Sequence, residues 1–112
     1  MSLQALDEFE FYACLEEISG VAVVLFTAPY CGSCRAFHLG LTRLSDEDGL
    51  VVFEVDAGMN PGLVQAYEVF HLPALFLFLE GRYHAELQCD PTPAALRAAL
   101  AVAEHAPAQD PP

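Results

Sequence analysis

Two cysteines two residues apart, Cys31-Gly32-Ser33-Cys34, are the residues of this sequence best suited to chemistry. A thiolate is the nucleophile in disulfide exchange. A cysteine at a helix N-terminus has its anion stabilised by unpaired backbone N–H groups and the helix dipole. Cys31 occupies such a place, because an apolar strand-like run leads into it and a helical pattern opens at Cys34. Cys34 lies one helical turn on, so its sulfur reaches Cys31 and closes a disulfide that releases a bound substrate. The competing reading of the same pair is half of a structural zinc site. No second C-x-x-C or histidine pair at ligand spacing completes one, although His71, Cys14 and Cys89 are present. Neither a metal nor a bound cofactor is expected.

The elements that must position the dithiol follow from periodicity. Residues 21–27, VAVVLFT, form a β-branched and aromatic run without polar alternation, which suits a strand buried on both faces of a mostly parallel sheet. Phe37, Leu41 and Leu44 repeat at helical intervals and predict a helix over 34–44, ended by the polar stretch 45–49. Ahead of the first strand, Asp7 and Glu10 resemble a capping box, and Phe11, Leu15 and Ile18 predict a helix over 8–19. Downstream, the pattern predicts a strand over 50–55, a loop, and a short helix over 63–70. Strands over 74–79 and 83–88 then join through Glu80-Gly81 as an antiparallel hairpin, so the sheet is mixed. Thr92 and Pro93 open a last helix to about residue 104. One domain over 1–106 is expected, with 107–112 as a mobile Pro-rich tail.

Composition bounds the remaining possibilities. The chain has 112 residues, 54% of them hydrophobic, enough for one core and too apolar for disorder. No apolar run approaches the roughly 18 residues of a membrane span, and the N-terminus lacks a basic leader region. Sixteen acidic residues against four arginines and no lysine give a formal charge of -12, which repels nucleic acid and anionic lipid. That acidity is either a solvated surface or a preference for basic client proteins. Only two of the four cysteines sit at redox spacing, and no export signal accompanies them, so reduced thiols in a cytosol fit better than a disulfide scaffold.

The chain resembles the thioredoxin family over about residues 7–104. The resemblance rests on Phe26-Thr27-Ala28-Pro29-Tyr30-Cys31-Gly32-Ser33-Cys34-Arg35, Val55-Asp56, Asn60-Pro61-Gly62 and Leu72-Pro73-Ala74-Leu75-Phe76-Leu77-Phe78. It implies an α/β fold with a central mixed sheet flanked by helices. The family has a strand ahead of its first helix, and the short N-terminus here leads us to expect that strand to be missing. The resemblance further implies that Pro73 is a cis-proline beside the dithiol and that Leu72 pairs its backbone with an extended client.

Several positions depart from the family. Thioredoxins carry a buried aspartate six residues before the first cysteine, where this chain has Leu25. Proton transfer at Cys34 then needs water or another group, and an apolar neighbour disfavours its thiolate, so slower reductive turnover is expected. Tyr30 stands for the usual tryptophan and Ser33 for the usual proline, and residues at these places tune reduction potential. Arg35 follows Cys34 and is placed to hold a thiolate or a client carboxylate, unless it is simply a solvated helix residue. Cys89 matches a family glycine lining the client groove, which offers a third thiol there or an inert, partly buried one. His71, two residues before Pro73, is placed to modulate the dithiol. Cys14 reads as core, and His38, His84 and His105 fall into no constellation.

These observations predict a monomeric cytosolic thiol–disulfide oxidoreductase. Cys31 attacks a protein disulfide, Cys34 resolves the mixed disulfide, and Tyr30, Gly32, Ser33, His71, Leu72 and Pro73 form the client surface, with Arg35 and Cys89 as accessory residues. A reductase or thiol pool supplies electrons. The alternative is a binding or chaperone module whose dithiol is vestigial or a redox sensor.

Overall fold

Successive side chains of a strand point to opposite faces of a sheet. In the run leading to Cys31 both sets are apolar, so a helical layer must cover each face. A computed structural model describes residues 3–112 and shows this arrangement; Met1 and Ser2, the start of the expected domain, lie outside the described residues. The elements in chain order are β1 (Gln4–Ala5), α1 (Phe11–Glu16), β2 (Val21–Thr27), α2 (Gly32–Asp48), β3 (Val51–Asp56), α3 (Pro61–Ala66), β4 (Ala74–Leu79), β5 (Arg82–Leu87) and α4 (Pro93–His105). The sheet order is β1-β3-β2-β4-β5. β1 and β2 run parallel to β3, β4 runs antiparallel to β2, and β5 runs antiparallel to β4, so the sheet is mixed as expected.

The alternation along β2 divides the core in two. Val24 and Phe26 pack with Phe11, Leu15, Leu63, Phe76 and Phe78 on the α1 and α3 side. Val23 and Leu25 pack with Leu41, Leu44, Leu75, Leu96 and Leu100 on the α2 and α4 side. A fully buried aliphatic or aromatic side chain contributes about 1.5–3 kcal/mol, so these two clusters are what hold α2, and with it the dithiol, on the sheet. Among the described residues, no helix is long and apolar enough to cross a membrane.

The structure corrects four expectations. The strand expected to be missing is present: β1 pairs Gln4 with Phe53 and Ala5 with Glu54, and the Leu6 N–H donates to the Glu54 carbonyl at 2.9 Å. Both β1 side chains are exposed, so the strand leaves no apolar pattern to read. The first helix begins at Phe11, later than expected, because Asp7 Oδ1 accepts from the Phe9 and Glu10 N–H groups at 3.0 Å and holds a turn ahead of it. The polar stretch after Leu44 is the last turn of α2. There Arg43 pairs with Glu47 at 3.0 Å, and Arg97 from α4 reaches Glu47 at 2.7 Å and Asp48 at 2.8 Å. α2 stops at Gly49, whose φ of 71° is the left-handed conformation that ends helices. Finally, α3 begins two residues earlier than predicted, at Pro61, and ends four earlier, at Ala66, ahead of Glu68, whose φ is 52°.

The segment expected to be a mobile tail makes two contacts with the outer edge of β5. The Gln109 N–H donates to the His84 carbonyl at 2.7 Å, and the Gln109 side-chain oxygen accepts from the Glu86 N–H at 3.0 Å.

Candidate functional site

β2 ends at Thr27, and residues 28–30 carry the chain to the N-terminus of α2. Cys31 is the N-cap, with extended φ and ψ of -94° and 106°, and its sulfur accepts from the Cys34 N–H at 3.2 Å. A sulfur accepting a backbone N–H at a helix start is stabilised as an anion, and no acidic residue in the first turn of α2 opposes it. Cys31 and Cys34 are joined in a disulfide with their Cα atoms 5.3 Å apart. Burial separates the two sulfurs. Cys31 is half-buried, whereas Cys34 is 3% exposed. An attacking disulfide or thiol from outside therefore meets Cys31 first.

The remaining site residues expected from the sequence fall into three groups. Ser33, His71, Pro73 and Cys89 line one groove of about 640 Å³, together with Phe37 and Phe70. The Leu72-Pro73 bond is cis, and Leu72 stays outside the strand ladder, which begins where Ala74 pairs with Phe26. Tyr30 is wholly exposed beside the dithiol, and Gly32 opens α2. Arg35 lies away from the groove, in a second cleft of about 340 Å³ that also borders Cys31 and Cys34.

Cys89 is a free, partly buried thiol; burial, and then the charge of Asp90, push its pKa up. It is therefore a protonated, sluggish thiol at neutral pH. Cys14 is also free and packs against the α1-side core. Leu25 is fully buried, so the sheet beneath Cys34 presents an aliphatic side chain where the resemblance implies a carboxylate. Among the described residues, no group of three or more His, Cys, Asp or Glu is placed to hold a metal ion.

Sequence reasoning missed the pair that shares the second cleft with the dithiol. His38 Nδ1 lies 3.0 Å from Glu54 Oε2, and both border the cleft with Cys31, Cys34, Arg35 and Asp56. His38 is four residues after Cys34 in α2, which puts both on one helix face. That spacing was readable in the sequence. Glu54 was not linked to it, because it comes from β3, where it sits opposite Leu25.

A thioredoxin family model matches residues 2–102. Thioredoxin X, chloroplastic, of Arabidopsis thaliana is 30% identical over 82 residues, covering 71% of this chain and 45% of that protein. A thioredoxin of Staphylococcus epidermidis is 32% identical over 83 residues, covering 72% of this chain and 78% of that protein. The matched part thus spans less than half of the first relative and most of the second. Among solved structures, the zinc-bound form of human ERp44 superposes with a TM-score of 0.78 at 24% identity, covering 89% of this chain and 31% of that one. That likeness bears on the fold alone.

Proposed function

The chain belongs to the thioredoxin family of thiol–disulfide oxidoreductases, and from that premise we propose that it exchanges electrons with protein disulfides through Cys31 and Cys34. The observation that carries this reading is the division of labour within the dithiol: an exposed-side sulfur at a helix N-terminus, tied to a buried partner one turn away.

In the reducing direction the Cys31 thiolate attacks one sulfur of a client disulfide, and the other client sulfur leaves as a thiolate and takes a proton. Cys34, deprotonated, then attacks the Cys31 sulfur of the mixed disulfide. The Cys31–Cys34 bond forms, the bond to the client breaks, and the client leaves as a second thiol. The client is reduced by two electrons and the dithiol is oxidised to the disulfide found here. A dithiol or reductase restores the thiols by the reverse exchange.

The client surface in this reading is Tyr30, Gly32, Ser33, His71, Leu72 and Pro73. Tyr30 offers an exposed aromatic face, the groove beside Ser33 and Pro73 receives the client chain, and the Leu72 backbone outside the ladder pairs with it. Arg35 and Cys89 border the site as accessory groups. We read the chain as a monomer, and place it in a reducing, cytosolic setting, a placement that the two free thiols Cys14 and Cys89 support.

The test is a titration of the protein in graded glutathione buffers, with free thiols trapped by alkylation and counted by mass. Joint conversion of Cys31 and Cys34 supports the reading, and the midpoint then places the protein between reductant and oxidant, about 30 mV corresponding to about 1.4 kcal/mol. In Cys34→Ser, a client mixed disulfide at Cys31 should persist instead of resolving. If Cys31 and Cys34 never pair in solution, the exchange reading fails and a binding module takes its place.

A further inference from the structure

The buried position of Cys34 poses a problem in proton chemistry. Its thiol must lose a proton before the sulfur attacks the mixed disulfide, yet it is 3% exposed and the sheet behind it is aliphatic, with Leu25 and Leu75 both buried. The ionisable side chains that share a cleft with it are Arg35 and His38 from α2 and Glu54 and Asp56 from β3. Arginine stays protonated, and carboxylates are weak bases at neutral pH. Asp56 is moreover occupied, because its Oδ1 accepts from the Gly58 N–H at 2.9 Å and the Met59 N–H at 3.2 Å. Imidazole is the side chain whose ordinary titration range meets neutral pH.

We propose that His38, oriented by Glu54, takes the proton from the Cys34 thiol as Cys34 attacks the mixed disulfide. This rests on the exchange reading above. The geometry supports it in three ways. His38 lies one helical turn below Cys34 on the same face of α2. Its Nδ1 is 3.0 Å from Glu54 Oε2, so in the neutral ring Nδ1 carries the hydrogen and donates it, leaving the lone pair on Nε2. The cleft of about 340 Å³ that both residues border has room for a bridging water. Glu54 is thus a positioning residue: it fixes the tautomer and stabilises the imidazolium that forms.

The step balances. The Cys34 S–H proton passes to Nε2 directly or through one water, and the Cys34 sulfur forms its bond to Cys31. The Cys31–client bond breaks, and the departing client thiolate takes the proton back from the imidazolium. An ordinary thiol is only a few per cent ionised at pH 7, so a working base raises the resolution rate there by about thirtyfold.

The experiment reacts the reduced full-length chain with a defined peptide disulfide, quenches with acid at intervals, and weighs the mixed disulfide. It is repeated from pH 5 to 10 for wild type, His38→Gln and Glu54→Gln. The His38 side chain is 37% exposed, so its replacement leaves the core intact. In His38→Gln the ratio of resolution to formation should fall about ten- to thirtyfold at pH 7, and the gap should close towards pH 10 as Cys34 ionises unaided. In Glu54→Gln the resolution rate at pH 7 should fall part of the way towards that of His38→Gln, because the ring loses the carboxylate that fixes its tautomer. A His38→Gln chain that resolves at the wild-type rate with an unchanged profile overturns the proposal and leaves the exchange reading standing. A wild-type chain that never forms the mixed disulfide overturns both.

Discussion

Replacing Gly40 with alanine tests the closest approach between the helix that carries the dithiol and the segment that leads into α4. A Cβ at position 40 falls 2.2 Å from the Pro91 carbonyl oxygen and 2.9 Å from Leu96 Cδ1, whereas non-bonded carbons rest about 3.5–4.0 Å apart. Leu96 can turn its methyl aside, but the Pro91 oxygen is backbone and moves only with its chain. Overpacking of this kind costs about 1–3 kcal/mol, and so deep an overlap belongs at the top of that range. Alanine returns about 0.8–1.0 kcal/mol over glycine inside a helix. The net expectation is a loss of about 2 kcal/mol, read by urea denaturation as a lower midpoint with an unchanged slope. Pro91 is two residues from Cys89, so the displacement should also speed alkylation of Cys89 in the folded protein. Stability equal to wild type or higher would refute the close packing of α2 on the Pro91 segment.

Two further outcomes follow from charge and burial. Since burial and then Asp90 hold the Cys89 thiol above its ordinary range, its alkylation against pH should be displaced to the alkaline side of a thiol in the urea-unfolded chain. Each pH unit of displacement slows reaction at pH 7 about tenfold, and equal rates in folded and unfolded protein would contradict it. Arg97 lowers the pKa of Glu47 and Asp48, chiefly through its hydrogen bonds. Carboxylates depressed in the folded state add stability above their unfolded values, 4.5 and 3.8, and lose it as pH falls through the lower folded ones. Arg97→Gln should therefore be slightly less stable than wild type near pH 7, less so in high salt, and converge with it in acid; a difference that persists in acid would assign the loss to packing instead.

What could be read from the sequence was local. The run from Val21 to Thr27 and the dithiol after it are governed by residues adjacent in the chain, and the structure places that strand where periodicity did. The β4 and β5 hairpin was likewise legible, within one residue, from two apolar runs around Glu80-Gly81. What escaped depends on partners far away in sequence. The last turn of α2 reads as a polar turn until Arg97, about fifty residues on, reaches Glu47 and Asp48. β1 exists because β3 offers a free edge, not because Gln4 and Ala5 favour a strand. His38 and Glu54 each look like an ordinary surface residue, and only the packing of α2 against β3 brings them together.

Where this protein places its proton chemistry bears on its stability. A carboxylate at position 25 would lie in a fully buried, aliphatic cluster, where ionisation carries a desolvation cost of several kcal/mol. Leucine there instead contributes about 1.5–3 kcal/mol of burial. An imidazole at the rim of the second cleft meets the same chemical need from a site that water reaches, with side-chain exposure of 37% for His38 and 27% for Glu54. A proton passed at that rim stays within reach of water, and the core under the dithiol need not reorganise with each turnover. On this argument Leu25→Asp should lower stability by far more than His38→Gln. It should also restore part of the resolution rate when combined with His38→Gln, because it returns a proton acceptor to the sheet beneath Cys34. A double variant that resolves no faster than His38→Gln alone would show that position 25 does not communicate with the Cys34 thiol in this chain.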